Sequence, residues 1–448
     1  MTDDTSAVEE LRAIAASGDV AAFLAKARDL HPSDLADVLE GIEDDVRLRL
    51  VAQLPADIVS EALVEMDEEE HPEELLASLG TAQAATIVAE LEDDDAVDLI
   101  GELDADDAAR ILSSVADRAD LERLMRYDEE TAGGLMTTAV VAIEEGRTAA
   151  DAIEDIRRQA QEVGEFYQVY CVDAGKRLVG ILPLKGLVIA GPDALVRDLM
   201  EPAPATVSPN LDQEEVARLI ARYNVPAIPV VDATGVLLGR VTFDDVIDVV
   251  EKERTEDMLQ FGGLSADEAL GGQWHEAVRS RLPWLYLNLL TAVLAGAVVL
   301  AFKETVGRIV ALAALMPIVA GLGGNAGTQS LAVTLRRLTL GLSPDSAEWR
   351  LIGKEVLVGM VNGVAVGLVV GLVTFAIGQG WALGAVVMLA MCGNQVVAAA
   401  MGATVPLVLR RLGVDPAVAS SVFITAATDV VGFFLLLGLA TILLLPGV

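Results

Sequence analysis

Residues of the reactive kinds are scarce in this chain of 448 residues. It holds only 2 cysteines and 3 histidines, and its aromatic fraction is 4%. Cys171 and Cys392 lie far apart in regions of different composition, so the sequence predicts neither a disulfide framework nor a zinc site. No nucleophile–base pair, metal triad or phosphate-binding loop stands out, so we expect a protein that is not an enzyme.

Positive charge is scarce in the first 281 residues. Residues 282–448 carry 8 Lys and Arg against 6 Asp and Glu, whereas residues 1–281 carry 23 against 62. This acidic excess disfavours nucleic acid and anionic lipid as partners, because both are polyanions, and it favours cations. The opening MTDDTSAVEE contains no apolar run, so no cleavable signal peptide is predicted.

Long apolar runs, uncharged except for one carboxylate in the last, make the second part of the chain a predicted membrane domain. The runs cover residues 282–302, 309–335, 356–409 and 416–448, and the third is interrupted near residues 378–380. Because about 20 apolar residues cross a bilayer, five spans are predicted. Eight Lys and Arg residues flank the predicted spans on one side of the membrane and two flank them on the other. Because cytoplasmic flanks carry the excess of basic residues, this predicts a cytoplasmic N-terminus and a C-terminus outside.

One carboxylate lies in the middle of the last apolar run. Asp429, in ITAATDVVGFF, would cost ~2.5–3.5 kcal/mol at the centre of a bilayer. Such a residue normally faces protein or water, so we interpret Asp429 as a cation ligand in a pore. The alternative is an Asp that caps a broken helix or bonds a neighbouring helix.

Glycine is concentrated in two of the predicted spans. The stretch PIVAGLGGNAGTQS, residues 317–330, combines Pro317 with four glycines and polar residues, which predicts a break in the helix and a turn at Gly-Gly-Asn. The next span carries glycines at four-residue spacing, typical of a tight helix–helix seam. These are Gly359, Gly363, Gly367 and Gly371.

An apolar residue recurs every 12 or 13 positions in the first third of the chain. The positions are Ile42, Leu54, Met66, Leu79, Leu91, Leu103 and Val115. Acidic phrases between them are suited to capping helix N-termini, so the pattern predicts a superhelical stack of short helices. Residues 92–98 place five carboxylates in seven positions, which repel one another unless cations or a basic partner attend them.

The middle of the chain contains a duplication. YCVDAGKRLVGILPLKGLV begins at Tyr170, and PVVDATGVLLGRVTFDDVI begins at Pro229. Each phrase predicts strand, turn, strand and the start of a helix, after a preceding helix at residues 149–161 or 213–223. With LMTT at Leu135 and LMEP at Leu199 opening the copies, this part resembles a tandem pair of CBS domains, which sense small molecules or ions.

A nucleotide signature is present in the second copy of the duplication. Gly239, Thr242 and Asp245 fit the pattern with which CBS modules hold a nucleotide ribose, and the first copy lacks the Thr and the Asp. A weak ATP site is therefore a hypothesis. The following segment, FDDVIDVVEKERTEDMLQ, predicts a helix with acids around much of its surface. It is either a solvated linker or a surface that needs cations, since two carboxylates ~4 Å apart repel by ~4 kcal/mol.

The combination of these segments resembles the MgtE family of magnesium channels over essentially the whole chain. The phrases that carry the resemblance are DEETAGGLMTT, FDDVIDVVEKERTED, PIVAGLGGNAGTQS, RRLGVDP and ATDVVG. It implies a multidomain membrane protein: a superhelical α-helical N-terminal domain (1–130), tandem CBS α/β domains (131–243), an acidic connecting helix (244–270) and a five-helix transmembrane domain (271–448).

The resemblance also implies a homodimer in the lipid bilayer, with Mg²⁺ as both permeant and regulatory ion. The implied pore residues are Asp429, Asn325, Gly324, Thr425 and Gly432. The implied regulatory metal ligands are Glu61, Asp94, Asp98, Asp212, Glu214, Asp245, Asp248, Glu253, Glu256, Asp257 and Asp415. Asn224 departs from the family pattern, which often has an acid there, so one sensing site is expected to be weakened.

The expected function is Mg²⁺ uptake across the plasma membrane, closed by Mg²⁺ bound between acidic cytosolic surfaces. One alternative is a coupled secondary carrier for a divalent metal such as Co²⁺ or Mn²⁺; against it, the sequence has no clear inverted repeat and one carboxylate in the spans. The other alternative is a CBS-gated membrane sensor without transport.

Overall fold

The computed structural model describes residues 4–67, 70–116, 118–161, 163, 166–261, 264, 274–339, 348–414, 416 and 420–445. The chain divides into two compact units, Met1–Glu253 and Arg254–Val448. Among the predicted regulatory residues, Asp415 and the side chain of Asp257 lie outside what is described.

Short helices build the first part of the first unit, as the 12-residue period predicts. They are α1 (Asp4–Ser17), α2 (Val20–Ala27), α3 (Pro32–Glu40), α4 (Asp44–Val51), α5 (Ala56–Val64), α6 (Pro72–Ser78), α7 (Thr81–Val88), α8 (Asp93–Gly101), α9 (Ala105–Leu112) and α10 (Arg118–Leu124). Repeat residues such as Ile42, Leu54 and Leu79 lie one to three residues after a helix end and are buried. Because each helix is too short to bury its own apolar face, neighbours share one continuous core.

The predicted capping role of the acids is wrong for the helices that begin at acidic phrases. Glu43, Glu92 and Asp104 occupy N-cap positions, yet none of the three side chains accepts a capping hydrogen bond. The acids of these phrases lie in the first helical turn instead, as Asp93–Asp95 do in α8. There the partial positive charge of the helix N-terminus stabilises them.

Two strand–helix modules complete the first unit, in agreement with the predicted CBS pair. In the first, β1 (Ala142–Glu144) pairs parallel with β2 (Val169–Val172), which pairs antiparallel with β3 (Leu178–Leu182). In the second, β4 (Ala227–Val231) pairs antiparallel with β5 (Leu237–Thr242). The helices are α11 (Ala149–Gln159), α12 (Leu184–Ile189), α13 (Val196–Leu199), α14 (Gln213–Tyr223) and α15 (Phe243–Phe261).

Each copy of the duplication is completed by the segment that opens the other. Thr137 of LMTT bridges Arg240 of β5, and Glu201 of LMEP bridges Ile181 of β3. Gly239 permits the first approach, because a Cβ there would lie 2.4 Å from the carbonyl oxygen of Thr137. Gly239 therefore has a backbone-packing role whether or not a nucleotide binds.

The described part of the second unit contains five helices that are long and apolar enough to span a membrane, as predicted. The elements are α16 (Trp274–Ala301), α17 (Lys303–Arg308), α18 (Ala311–Thr339), α19 (Glu348–Thr374), α20 (Trp381–Arg411) and α21 (Ser420–Leu444). A π-helical turn, Phe375–Gln379, ends α19, and Gly378 and Gly380 have positive φ there, as the interruption near residues 378–380 predicts.

The predicted helix break at residues 317–330 is wrong, since α18 runs through Pro317 and the Gly-Gly-Asn stretch without interruption. Two of its four glycines serve close packing. A Cβ on Gly323 would lie 2.2 Å from the Asn394 amide nitrogen, and one on Gly327 would lie 2.3 Å from Ile424. In hydrocarbon no water competes for backbone hydrogen bonds, so glycine weakens a helix less there than in water.

The row of glycines on α19 forms the predicted seam against α20. Each is buried, and an added Cβ would lie 2.6–2.9 Å from a backbone atom of α20 at all four positions. The two helices therefore pack backbone to backbone, which a side chain at any of these positions would prevent.

Candidate functional site

Carboxylates of the first unit are brought together where the first turn of α8 approaches the start of α15. Asp94 is 7% exposed, and its Oδ1 is buried without a hydrogen-bond partner among the described residues. Burial raises the pKa of Asp94 well above its usual range, and the charges of Asp245, Asp95 and Glu92 raise it further. We call these four residues, with Asp244, the acidic interface.

The other carboxylates of the acidic interface are perturbed in the same direction. Burial raises the pKa of Asp95 to about 7, assisted by the charges of Asp245 and Glu92. Burial also raises the pKa of Asp245, against hydrogen bonds from the Thr242 hydroxyl and backbone N–H. Such raised values mean that the arrangement disfavours the charged forms and would be stabilised by added positive charge.

The acidic interface continues along α15 toward the end of α5. Burial raises the pKa of Asp248, and the next largest contribution is the charge of Glu65. Among the described residues, no group of three or more His, Cys, Asp or Glu has the arrangement of a preformed metal site.

A second contact joins α14 to α15 at Glu253. The Gln213 side chain donates a hydrogen bond of 2.6 Å to the Glu253 carboxylate. Of the two flanking predicted ligands, Asp212 caps α14 by accepting from the Glu214 backbone N–H at 3.0 Å, and Glu214 pairs with Arg218. Both acids thus have local structural roles beside Glu253.

Some predicted regulatory residues lie apart from these contacts. Glu61 is exposed on α5, one turn before Glu65. Asp98 is exposed on α8, although its charge helps to raise the pKa of Asp95. Glu256 is half-buried on α15. Asn224 ends α14 in the left-handed conformation, with φ of 50°, which Asn tolerates better than most residues.

Sequence reasoning left three participants out of the predicted ligands. Asp244 was placed on the acidic surface of the connecting segment but not among the ligands, and Glu65 does not differ in local sequence from dozens of solvated acids. The third is Arg240, which is 3% exposed and places Nη2 3.6 Å from the Glu92 carboxylate. A single base in the acidic stretch GRVTFDD was the available signal for it.

In the membrane unit, α18 and α21 pack antiparallel along a seam. Gly323 packs against Thr428, and Gly327 packs against Ile424. Successive residues of a helix are rotated by about 100° around its axis. In two antiparallel helices, the residue that follows each contact residue therefore points to the same side of the seam. That side carries Gly324 and Thr328 from α18 and Thr425 and Asp429 from α21.

Asp429 is half-buried and Thr425 is exposed in the single chain. Asn325 is exposed as well, but it lies two positions from both Gly323 and Gly327 and so occupies the opposite face of α18. Gly432 is buried against the Asn394 amide. The fold therefore gathers Gly324, Thr425 and Asp429 on one side of the seam, and leaves Asn325 facing away from α21 of its own chain.

Two buried amides of α20 hold α18 in place. Asn394 donates to the carbonyl of Val319 at 2.9 Å, and Gln395 donates to that of Leu322 at 3.0 Å. Asn394 also contacts Gly323 of α18 and Gly432 of α21. This makes Asn394 the side chain on which the three helices meet.

Comparison with known families identifies the class of protein. The MgtE intracellular N domain matches residues 30–130, the CBS domain matches residues 132–192 and 196–252, and the divalent cation transporter domain of MgtE matches residues 316–439. The fold and these matches define a multi-pass membrane transporter with a cytosolic N-terminal region, and not an enzyme.

Similarity over nearly the full length identifies the family. "Magnesium transporter MgtE" of Bacillus subtilis is 34% identical over 427 residues, covering 95% of this chain and 94% of that protein. The protein of the same name from Thermus thermophilus is 33% identical over 439 residues, covering 95% of this chain and 96% of that protein. The chain belongs to the MgtE family.

Solved structures match the first unit. The soluble part of a magnesium transporter has 30% sequence identity and a TM-score of 0.52, covering 56% of this chain and 99% of that one. The cytosolic domain of the Mg²⁺ channel MgtE in complex with ATP has 35% identity and a TM-score of 0.52, covering 54% of this chain and 99% of that one.

Proposed function

We propose that the protein is a Mg²⁺ uptake channel of the plasma membrane, closed when cytosolic Mg²⁺ binds the acidic interface. The observation that carries the proposal is the packing of Asp94 and Asp95 close to Asp245, all with raised pKa values. Relatives with about one third identity over the whole chain are named magnesium transporters, which supports Mg²⁺ as the ion.

The proposed ion path runs along the polar side of the α18–α21 seam. Asp429 supplies the charge there, and Gly324, Thr328 and Thr425 supply backbone and hydroxyl groups that can contact a hydrated ion. A homodimer with its axis near this side would double every ligand. In that arrangement Asn325 reaches the path from the face of α18 that α21 of its own chain does not cover. Gly432 supports the path indirectly, through its contact with Asn394.

The proposed gating follows from electrostatics. When cytosolic Mg²⁺ is high, ions neutralise the acidic interface and the compact cytosolic arrangement is favoured, which closes the pore through α15. When Mg²⁺ falls, repulsion between α8 and α15 separates them and the pore opens. The ion shifts the equilibrium because it binds the compact state preferentially. Glu253, Glu256, Asp257 and Asp415 are proposed further ligands along this route, beside Glu61, Asp98, Asp212 and Glu214.

Patch recording of the reconstituted protein tests this function directly. We expect a Mg²⁺ current that persists without proton or sodium gradients and disappears as Mg²⁺ rises on the cytosolic side. A flux that requires a proton or sodium gradient would instead establish a coupled carrier. Absence of any flux would leave the sensor hypothesis, and a current indifferent to cytosolic Mg²⁺ would contradict the gating scheme.

An ATP site at Gly239, Thr242 and Asp245 is part of the proposal, supported by the ATP complex of a 35% identical cytosolic domain. In this chain the Thr242 hydroxyl already donates to Asp245. A ribose hydroxyl would therefore join or displace that bond, and Asp245 would link nucleotide binding to the acidic interface. Calorimetric titration of wild type and Thr242→Ala with ATP tests it, and equal affinities would exclude this site.

A further inference from the structure

Arg240 is a buried base at the junction of three elements of the first unit. Its strand, β5, belongs to the second CBS copy, and its backbone exchanges hydrogen bonds of 2.9 and 3.0 Å with Thr137. Its guanidinium lies 3.6 Å from Glu92, the N-cap residue of α8. On the other side its charge reaches Tyr170 of β2, in the first CBS copy.

The guanidinium of Arg240 is buried beside acidic residues. Arginine stays protonated in proteins, so Arg240 supplies a fixed positive charge to the acidic interface. Burying that charge at 3% exposure is costly unless carboxylates compensate it. Its charge in turn lowers the pKa of Glu92, although burial raises that pKa by more.

The neighbouring segment strengthens the same contact. Thr138 donates to Asp93 of α8, and a hydrogen bond from Thr137 assists the charged form of Glu92. The segment that pairs with Arg240 therefore also binds the first turn of α8. Val246 of α15 and Val97 of α8 belong to the same apolar core.

We infer that Arg240 acts as a built-in cation of the acidic interface and sets how much Mg²⁺ is needed to hold α8 against α15. This inference rests on the proposed function. The guanidinium attracts the Glu92 carboxylate of α8 at 3.6 Å, so its loss weakens the docking of α8. Removing the charge should therefore raise the Mg²⁺ concentration needed for closure.

Hydrogen exchange of α8 amides in the full-length protein, titrated with Mg²⁺ in nanodiscs, tests the inference. We expect Arg240→Met to raise the Mg²⁺ midpoint of protection by roughly fivefold. Arg240→Lys, which keeps the charge, should stay near wild type. Glu92→Gln, which removes the carboxylate beside Arg240, should also raise the midpoint, and adding Arg240→Met to it should shift the midpoint little further.

The outcomes separate this inference from the proposed function. If protection of the wild-type α8 amides does not respond to Mg²⁺, the proposed sensing is wrong. The role of Arg240 is then tested by protection measured without divalent ions, which Arg240→Met should reduce. If wild type responds but Arg240→Met does not shift the midpoint, or Arg240→Lys shifts it equally, the inference is wrong. Equal thermal unfolding of the variants in saturating Mg²⁺ controls for misfolding, and Glu92→Gln alone still decides the matter should Arg240→Met fail to fold.

Discussion

The acidic interface and the membrane seam bury polar groups in opposite ways. In the membrane, Asn394 and Gln395 of α20 donate to fixed backbone carbonyls, and glycines of α18 and α19 let backbones touch. In the first unit, Asp94, Asp95 and Asp245 carry like charges with little internal compensation. The seam is held by its own contacts, whereas in the proposed gating the acidic interface depends on the cations that the solution supplies. On that proposal the seam is a scaffold and the acidic interface is a switch.

The sharpest test of the seam as an ion path is removal of its one carboxylate. Asp429→Ala should reduce Mg²⁺ flux by roughly 100-fold, since each 1.4 kcal/mol of lost ion stabilisation is tenfold. Flux into liposomes loaded with a Mg²⁺ indicator measures this. Asp429→Glu keeps the charge and should retain more flux. If the alanine variant transports as wild type does, Asp429 is structural and the path lies elsewhere.

The rigidity of the seam predicts a strong asymmetry between two glycines of α19. A Cβ on Gly363 would lie 2.8 Å from the Cys392 Cα, whereas Gly353 has nothing within 4 Å. Gly363→Leu should destabilise the protein by about 1–3 kcal/mol or more through overpacking. Gly353→Leu is the matched control on the same helix. Thermal unfolding in detergent compares them, and equal melting temperatures would show that α19 and α20 can separate without cost.

The switch predicts a pH effect that the seam does not. Because the Asp95 pKa is raised to about 7 in the docked arrangement, docking takes up a proton as pH falls through 7. Protonation thus favours docking at low pH, and that stabilisation is lost as pH rises through 7.

Between pH 8 and pH 6, divalent-free protection of α8 amides should rise about tenfold, after correction for intrinsic exchange rates. Asp95→Asn removes one of the titrating groups and should reduce the change, while Asp94 and Asp245, whose pKa values are also raised, keep a remainder in the same direction. An unchanged pH dependence in Asp95→Asn would assign the effect to other groups.

Local sequence was sufficient for the elements but not for their partners. The 12-residue period predicted the short helices because each repeat lacks a core of its own, and uncharged runs predicted the spans because length and hydropathy decide insertion. The break at Gly-Gly-Asn was wrongly predicted, since a glycine's role as hinge or contact depends on what packs against it. Here Asn394 and Ile424 pack against Gly323 and Gly327.

Chain order and composition thus decided the domain types, the five spans and the acidic character of the cytosolic region, because each depends on residues close in sequence. Tertiary structure decided which acids oppose one another, and that Glu65 rather than Glu61 helps to raise the pKa of Asp248. It also placed Arg240 beside Glu92, which lies 148 positions away in the chain. The packing of α18 on α21 further decided that Asn325 faces away from the side of the seam on which Asp429 lies. Electrostatic energy depends on distance in space, and no local pattern encodes a distance between residues far apart in the chain.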